Sequence, residues 1–228
     1  MARENSFMAR ASEVSNPELT PLYARYLARL IRPFPNFDLI FVQSLRRRAI
    51  ELLELRPGDR VLDAGCGPGG SFPYLLDKVG RDGEVVGVEI SPEMAALANK
   101  RIQNNGWCNV SVLESAAERA NPKGCFDALL MLGAPDVYGS AASLDNLLPH
   151  LKSNARIVAF GAKLKRAGPA RILNPLFQST FSKLTFASTP ALSYEPWTLL
   201  SERLNGLQIE EAFLGWMFLA FGSMATNR

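Results

Sequence analysis

The chain has 228 residues, of which 47% are hydrophobic, and a formal net charge of +3 at pH 7. This length favours one domain with modest extensions and a sizeable core, and the small charge argues against wholesale nucleic-acid binding. Its three cysteines, Cys66, Cys108 and Cys125, lack C-x-x-C spacing, which predicts a reducing compartment and neither a zinc site nor a disulfide framework. No signal peptide is apparent and the apolar run 213–221 is short of the roughly 20 residues of a membrane span, so we expect a cytoplasmic protein.

Two helices are predicted before the first strand. Residues 1–16 are polar and aperiodic, which is typical of a loosely packed tail. Apolar residues then recur with helical spacing from Pro17 to Arg32, where Tyr23 and Tyr26 contribute to the apolar face. A second helix is predicted from Phe41 to Leu55, with Arg46 and Arg47 on its outer face.

The stretch from Val61 to Gly70 is predicted to be a strand followed by a glycine-rich turn. Val61 and Leu62 read as a buried strand, and apolar residues with helical spacing resume at Phe72. Strand, glycine turn and helix form the opening of a nucleotide-binding α/β unit, in which glycines let the backbone approach a ligand closely.

Asp63 distinguishes two classes of ligand for this turn. Gly65, Gly67 and Gly70 satisfy the dinucleotide pattern G-x-G-x-x-G. A pyrophosphate would lie beside the Asp63 carboxylate, however, and like charges repel. A cation such as S-adenosylmethionine, with its ammonium and sulfonium groups, is attracted instead. An NAD-dependent dehydrogenase is therefore the last-ranked alternative.

The first motif resembles that of the class I S-adenosylmethionine-dependent methyltransferases. The matching positions are Val61, Leu62, Asp63, Gly65, Gly67 and Gly69. The resemblance implies an α/β, Rossmann-like fold with helices on both faces of a seven-stranded, mostly parallel sheet whose last strand is antiparallel. It implies S-adenosyl-L-methionine as cofactor. It also implies a tail and helices over residues 1–55, packing under the sheet edge or closing over the cofactor, and a methyltransferase domain over residues 56–228.

Six further strands complete the predicted sheet. They are 84–90, 110–113, 126–132, 155–161, 207–214 and 216–221. Glu89, at the tip of the second strand, is placed to accept hydrogen bonds from both ribose hydroxyls of an adenosine. Ser91 is expected to cap the following helix, and Asn154 to bend the turn before the fifth strand in the left-handed region. Residues 162–195 fit no standard element and read as an insertion.

The resemblance also implies the members of the site. After the third strand Ala116 stands where the family usually has an acid that reads the adenine amino group, which leaves Ser115 or a backbone carbonyl for this contact. After the fourth strand, the loop 133–139 lacks the Asn/Asp-Pro-Pro-Tyr signature that some amine methyltransferases carry there. Asp136 and Tyr138 are the polar residues nearest the expected reaction centre and are the catalytic candidates. The implied cofactor-binding residues are Asp63, Gly65, Cys66, Gly67, Gly69, Glu89, Ile90, Met94, Ser115, Ala116 and Met131, with no metal.

Two observations bear on the chemical class of the acceptor. The single histidine, His150, follows Pro149 on the wrong side of the sheet, which disfavours histidine-assisted O-methylation and favours N- or C-methylation. Between Asn146 and Tyr194 there is no acidic residue among seven basic ones and several phenylalanines. If this basic, aromatic stretch forms a lid over the site, it suits an amphiphilic or phosphate-bearing acceptor or an anionic membrane surface. The equal alternative is that its basic residues form a solvated face of a purely structural insertion.

Three functions remain open at this point. The leading one is methyl transfer to a small molecule or lipid headgroup, since the composition loosely resembles that of bacterial phospholipid N-methyltransferases and their quinone-methylating relatives. The second transfers or cyclises the aminocarboxypropyl group of the same cofactor and releases methylthioadenosine. The third binds the cofactor without catalysis. The oligomeric state is open.

Overall fold

The computed structural model describes residues 40–178 and 192–224. The predicted tail, the helix from Pro17 to Arg32, and Tyr23 and Tyr26 lie outside the described residues. The helix predicted from Phe41 is present as α1 (Ile40–Leu52).

The seven predicted strands form one sheet. They are β1 (Arg60–Ala64), β2 (Glu84–Glu89), β3 (Val110–Glu114), β4 (Phe126–Leu132), β5 (Leu151–Ala162), β6 (Asn205–Ala212) and β7 (Met217–Ser223). Their order is β3-β2-β1-β4-β5-β7-β6. Strands β1 to β5 pair in parallel, and β7 pairs antiparallel with both β5 and β6. The predicted fold class, including the reversed last strand, is confirmed.

Helices cover both faces because the central strands are apolar on both sides. They are α2 (Phe72–Val79), α3 (Pro92–Asn105), α4 (Pro135–Tyr138), α5 (Ala141–Leu147) and α6 (Thr198–Ser201). Side chains of α1 and α2, including Leu52 and Phe72, pack into one core cluster. Leu144 of α5 and Leu200 of α6 belong to a second. The helix α1 is therefore part of the domain core.

Local signals set several element ends as predicted. Ser91 is extended, and its side chain accepts a hydrogen bond from the Met94 amide at 3.3 Å, which caps α3. Asn154 has φ of 64°, the predicted left-handed conformation. Several boundaries differ from the predicted ones, two of them by more than a shift of a few residues at an element end or by the element type. The strand β5 starts at Leu151 rather than Ala155, and the predicted loop 133–139 contains α4.

The described part of the predicted insertion is ordered by Asn174. Its side-chain oxygen accepts from the Lys165 amide at 3.1 Å and from the Trp216 indole at 3.3 Å, and its amide donates to the Lys165 carbonyl at 2.8 Å. Residues Pro169–Leu173 form a 3₁₀ helix. Among the described residues no helix has the length and apolar character that crossing a membrane requires.

Candidate cofactor and acceptor site

The candidate site lies where the strand order reverses. The chain runs from β1 outward to β3 and then returns to β4 on the other side of β1. Helices leave the adjacent strands β1 and β4 towards opposite faces, and a crevice opens between the loops at their carboxyl ends. The two loops nearly touch, because a β-carbon added to Gly65 would lie 2.5 Å from the Cβ of Ala134.

Asp63 is a buried acid at the floor of this crevice. It is 1% exposed, and among the described residues neither of its carboxylate oxygens receives a hydrogen bond. Burial raises the pKa of Asp63 to about 7, and the negative charge of Glu89 also raises it. The positive charge of Arg46 and the nearby Ser71 hydroxyl, which lies outside hydrogen-bonding geometry, lower it. Such a carboxylate is costly unless a ligand satisfies it. It provides a binding place for a positive charge.

The glycines of the turn serve different purposes. Gly65, Gly67 and Gly69 all have positive φ, at 77°, 55° and 78°. A β-carbon at Gly69 would lie 2.6 Å from the Phe72 ring, so Gly65 and Gly69 are required by packing. A β-carbon at Gly67 would meet nothing within 4 Å. The open space at Gly67 is therefore on the ligand side of the turn.

We expect Gly65→Ala and Gly67→Ala to fail in different ways. Gly65→Ala adds a steric clash with Ala134 to left-handed strain and should lower the free energy of unfolding by about 2–4 kcal/mol. Gly67→Ala has the strain alone, roughly 1–2 kcal/mol, yet places a methyl group where a ligand would lie. Urea unfolding and nucleoside titration of both variants check this. Equal losses of stability would contradict the assignment.

Glu89 joins the glycine turn to the end of β2. Its Oε2 accepts from the Gly67 amide at 2.8 Å and its Oε1 from the Ser91 amide at 2.8 Å. A carboxylate has about four acceptor positions, so both oxygens can also accept hydrogen bonds from a ligand. The side chain is 8% exposed. Burial raises the pKa of Glu89, and the hydrogen bonds from the Ser91 and Gly67 amides partly offset this by lowering it. This geometry is compatible with the predicted ribose contact.

The residues beside Glu89 provide an open apolar surface. Ile90 is 54% exposed although it follows an apolar strand. The Ser115 amide donates to the Glu89 carbonyl at 2.9 Å, which brings the loop after β3 to the same edge. The Ser115 hydroxyl donates to the Ala116 carbonyl at 3.1 Å, and Ala116 is 3% exposed. The predicted adenine contacts of these residues stay predictions.

Four predicted site side chains lie in the core. Cys66 is 6% exposed, and its sulfur lies 2.6 Å from where a Gly87 β-carbon would be, so a glycine is required at 87. Met94 and Met131 are almost fully buried. Tyr138 is 3% exposed and packs edge-on against Phe218, 5.7 Å between ring centroids. Their positions do not support side-chain contacts with a ligand, and the roles predicted for them remain untested.

Asp136 is exposed on α4, the short helix that follows β4 at the crevice. Desolvation by the surrounding protein raises its pKa, and the negative charge of Glu118 raises it further. Asp136 in turn raises the pKa of Glu89, so the acids on the two loops lie within electrostatic range of each other. Glu118 was not among the site residues predicted from the sequence. The crevice is therefore acidic on both sides, which favours a cationic ligand.

Arg46 occupies a different place from the one predicted. It was expected on the outer face of its helix, but the structure shows it half-buried, donating from Nη1 to the Ser71 hydroxyl at 2.6 Å. With Leu132, Gly133 and Phe160 it lines a cavity of about 100 Å³. The prediction is wrong because the middle of α1 lies beside the carboxyl ends of β4 and β5, so part of its polar face meets the crevice rather than solvent.

Most of the predicted basic lid is already ion-paired. Lys152 pairs with Asp127, Arg156 with Glu54, Lys163 with Glu211 and Arg166 with Glu195. The stretch itself has no acids, but the fold brings acids to it from other segments. His150 precedes β5, at the edge of the sheet opposite the crevice, as predicted.

Comparison with known proteins agrees with this geometry. A family model described as "Methyltransferase domain" matches residues 61–154. The chain is 34% identical over 142 residues to aklanonic acid methyltransferase of Streptomyces sp. strain C5, covering 60% of this chain and 63% of that protein. It is 34% identical over 161 residues to protein-L-isoaspartate O-methyltransferase of Methanopyrus kandleri, covering 68% of this chain and 69% of that protein. It spans 25% to 63% of four curated relatives.

Comparison with solved structures shows the same fold in known methyltransferases. The N-methyltransferase NodS from Bradyrhizobium japonicum, in complex with S-adenosyl-L-homocysteine, superposes with a TM-score of 0.63 at 15% identity, covering 89% of this chain and 98% of that one. The chain belongs to the class I S-adenosylmethionine-dependent methyltransferases. S-adenosylmethionine is the cofactor of this family, and the unsatisfied Asp63 carboxylate, the open space at Gly67 and the Glu89 acceptors fit it.

Proposed function

We propose that the chain transfers a methyl group from S-adenosylmethionine to a small-molecule acceptor whose reacting atom needs no imidazole base. The observation that carries this proposal is Asp63, a buried carboxylate without a hydrogen-bond partner among the described residues, beside an open glycine turn. Bound S-adenosylmethionine supplies an electrophilic methyl group on a good, neutral leaving group. The work left to the protein is to hold the reactants in line and to exclude water.

The residues divide this work. Glu89 fixes the turn and accepts from the ribose, Asp63 holds the positive end of the cofactor, and Ile90 provides an apolar surface for the base. The acceptor enters beside Asp136 and the cavity next to Gly133. Among these groups, only carboxylates can take a proton from the acceptor.

N- or C-methylation is the acceptor chemistry that we favour. An amine is attracted by the acidic rim formed by Asp136 and Glu118, and it becomes nucleophilic on losing its proton in a desolvated site. An enolised carbon needs no further base.

O-methylation of a carboxylate is the second candidate. A carboxylate is ionised at pH 7 without a base, and the half-buried Arg46 lines the acceptor cavity. The names of two relatives state this kind of substrate, one aklanonic acid and the other protein L-isoaspartate with methylation at oxygen. Asp136 thus supports an amine acceptor, whereas Arg46 supports an acid.

A lipid acceptor or contact with an anionic membrane stays a prediction. Ile172 and Leu214 are 80% and 78% exposed, and Arg171 lies beside Ile172 in the chain, but four other basic residues of this stretch are ion-paired. Co-sedimentation with phosphatidylglycerol vesicles, lost in Arg171→Glu and kept in Arg81→Glu, would support it. Equal behaviour of the two variants would count against it.

Calorimetric titration followed by analysis of the adenosine by-product tests the main proposal. We expect saturable binding of S-adenosylmethionine and S-adenosylhomocysteine, and mass spectrometry of turnover with candidate acceptors should find S-adenosylhomocysteine. Release of methylthioadenosine would replace methyl transfer with aminocarboxypropyl chemistry. Binding without any by-product across the acceptor panel would favour a binding protein, and failure to bind either nucleoside would refute the proposal.

A further inference from the structure

Asn146, a half-buried side chain of α5, holds the loop that follows β3. Its Nδ2 donates to the Ala117 carbonyl at 2.8 Å and to the Ala120 carbonyl at 2.7 Å. The two carbonyls lie at the two ends of a short 3₁₀ helix, Ala117–Arg119, and both alanines are buried. Because a buried carbonyl that loses its donor is costly, Asn146 fixes the 115–120 loop against α5.

The 115–120 loop lies beside the ribose end of the proposed cofactor site. The Ser115 amide donates to the Glu89 carbonyl at 2.9 Å, and β3, β2 and β1 are successive neighbours in the sheet, about 5 Å apart. In the proposed complex the positive end of the cofactor lies at Asp63 on β1 and the ribose at Glu89 on β2. The base is on the other side of the ribose and therefore extends towards the end of β3, where Asn146 holds the loop.

The helix that carries Asn146 is also anchored to the loop after β4. The Ser143 hydroxyl donates to the Asp136 carbonyl at 3.4 Å, and the Ser140 side chain caps α5 by accepting from the Ser143 amide at 3.2 Å. The negative charge of Glu118, on the 3₁₀ helix, raises the pKa of Asp136, so the two loops face each other. The helix α5 thus joins the loop beside the base to the loop beside the acceptor, and Asn146 makes the contact on the base side.

We propose that Asn146 is a positioning residue for the base of the cofactor, an inference that rests on the proposed function. It holds the 115–120 loop at the distance from Glu89 that a purine ring occupies. Asn146 acts through this loop and not by contact with the ligand, because both of its amide hydrogens are already donated to the Ala117 and Ala120 carbonyls.

The test compares two ligands that differ in the base. S-adenosylhomocysteine carries adenine, whereas S-ribosylhomocysteine keeps the ribose and the amino acid arm and has no base. Asn146→Leu has a similar volume but no donor, and it should weaken S-adenosylhomocysteine binding by roughly 5- to 30-fold while leaving S-ribosylhomocysteine within about twofold. Asn146→Gln keeps both donors on a longer side chain and should show a smaller loss. Displacement of S-adenosylhomocysteine measures the affinity of the second ligand.

Asn109→Leu is the matched control. The Nδ2 of Asn109, which is also half-buried, donates to the Gly80 and Gly83 carbonyls at 2.9 and 2.8 Å. This is the same contact with two carbonyls, but it lies before β2 and β3, at the amino edge of the sheet. Thermal unfolding should show comparable losses of stability in the two leucine variants. Only Asn146→Leu should lose the affinity that depends on adenine.

Other results overturn the inference. Equal weakening of both ligands in Asn146→Leu, or the same selective loss in Asn109→Leu, would reduce Asn146 to a structural role. An unchanged affinity for S-adenosylhomocysteine would separate Asn146 from the site. If Asn146→Leu does not fold, the ratio of the two affinities in Asn146→Gln decides, and a ratio equal to that of wild type overturns the inference.

Hydrogen exchange in wild type checks the position of the base independently. S-adenosylhomocysteine should slow the exchange of amides in the 115–120 loop, and no protection there would place the base elsewhere and overturn the inference. If wild type binds neither ligand, the proposed function fails instead.

Discussion

Replacing Glu89 with alanine is expected to weaken S-adenosylhomocysteine binding by about 100-fold or more. In the proposed complex the carboxylate accepts hydrogen bonds from two ribose hydroxyls, and each hydrogen bond to a charged group contributes roughly 1.5–3 kcal/mol. Glu89 also accepts from the Gly67 and Ser91 amides, so its removal loosens the turn that faces the ligand. Calorimetric titration of the variant measures the loss.

Glu114→Gln is the control for this prediction. Glu114 is the register partner of Glu89 on β3, at the same edge of the sheet, but it is exposed. We expect its affinity to stay within about twofold of wild type, as for surface substitutions away from a site. Glu89→Gln preserves the shape of the side chain and separates the loss of charge from the loss of packing. If Glu89→Ala bound S-adenosylhomocysteine with the same affinity as wild type, the ribose assignment would be refuted.

Cofactor affinity is expected to rise with pH up to about 7 and then level off. Burial raises the pKa of Asp63 to about 7 in the ligand-free chain, so below this pH the carboxyl is mostly neutral. A cation binds the ionised form, and binding must then release the proton. The affinity should fall by up to about tenfold per pH unit below 7. Titration in buffers of different ionisation enthalpy measures the released proton directly.

Asp63→Asn should remove this dependence and lower the affinity at pH 8. The amide cannot ionise, so the residual affinity is expected to be independent of pH through this window and to release no proton at this site. Asp82→Asn is the matched control, because Asp82 is an exposed acid in the turn before β2, at the opposite edge of the sheet. A pH profile of Asp63→Asn identical to that of wild type would show that another group controls binding.

The same shift predicts a dependence of stability on pH. The folded pKa of Asp63 is raised above the unfolded value, so between about pH 4 and 7 the folded chain binds more protons and loses stability as the pH rises. Between the ordinary pKa of 3.8 and the raised pKa of about 7, the total loss of stability is on the order of 4 kcal/mol at 1.36 kcal/mol per pKa unit. Ligand-free Asp63→Asn should therefore be more stable than wild type at pH 8, by urea unfolding.

The local geometry of the proposed cofactor site was predictable because its residues are consecutive or at strand ends. Asp63, Gly65, Gly67 and Gly69 form one turn, and their roles follow from charge and from backbone conformation within a few residues. Glu89 could be placed as well, because carboxyl ends of parallel strands meet at one edge. The apolar runs likewise predicted the strands, and the family resemblance predicted the reversed last strand.

The acceptor half could not be predicted in the same way. Whether Arg46 faces solvent or the crevice depends on how α1 lies across the sheet, which helical periodicity does not specify. Tyr138 was a plausible reactive group by its place in the chain, but α4 turns it into the core against Phe218. The acids that pair with the basic stretch, among them Glu54 and Glu211, are distant from it in sequence.

The sequence by itself determined the family, the sheet and the cofactor turn, because strand periodicity, glycine conformations and one acid beside them are local properties of the chain. Only the tertiary structure decided that Asp63 is left without a hydrogen-bond partner among the described residues, that Gly67 faces open space, and that Arg46 enters the site. Burial and charge pairing are properties of segments that meet in space, and those meetings are set by the packing of helices on the sheet.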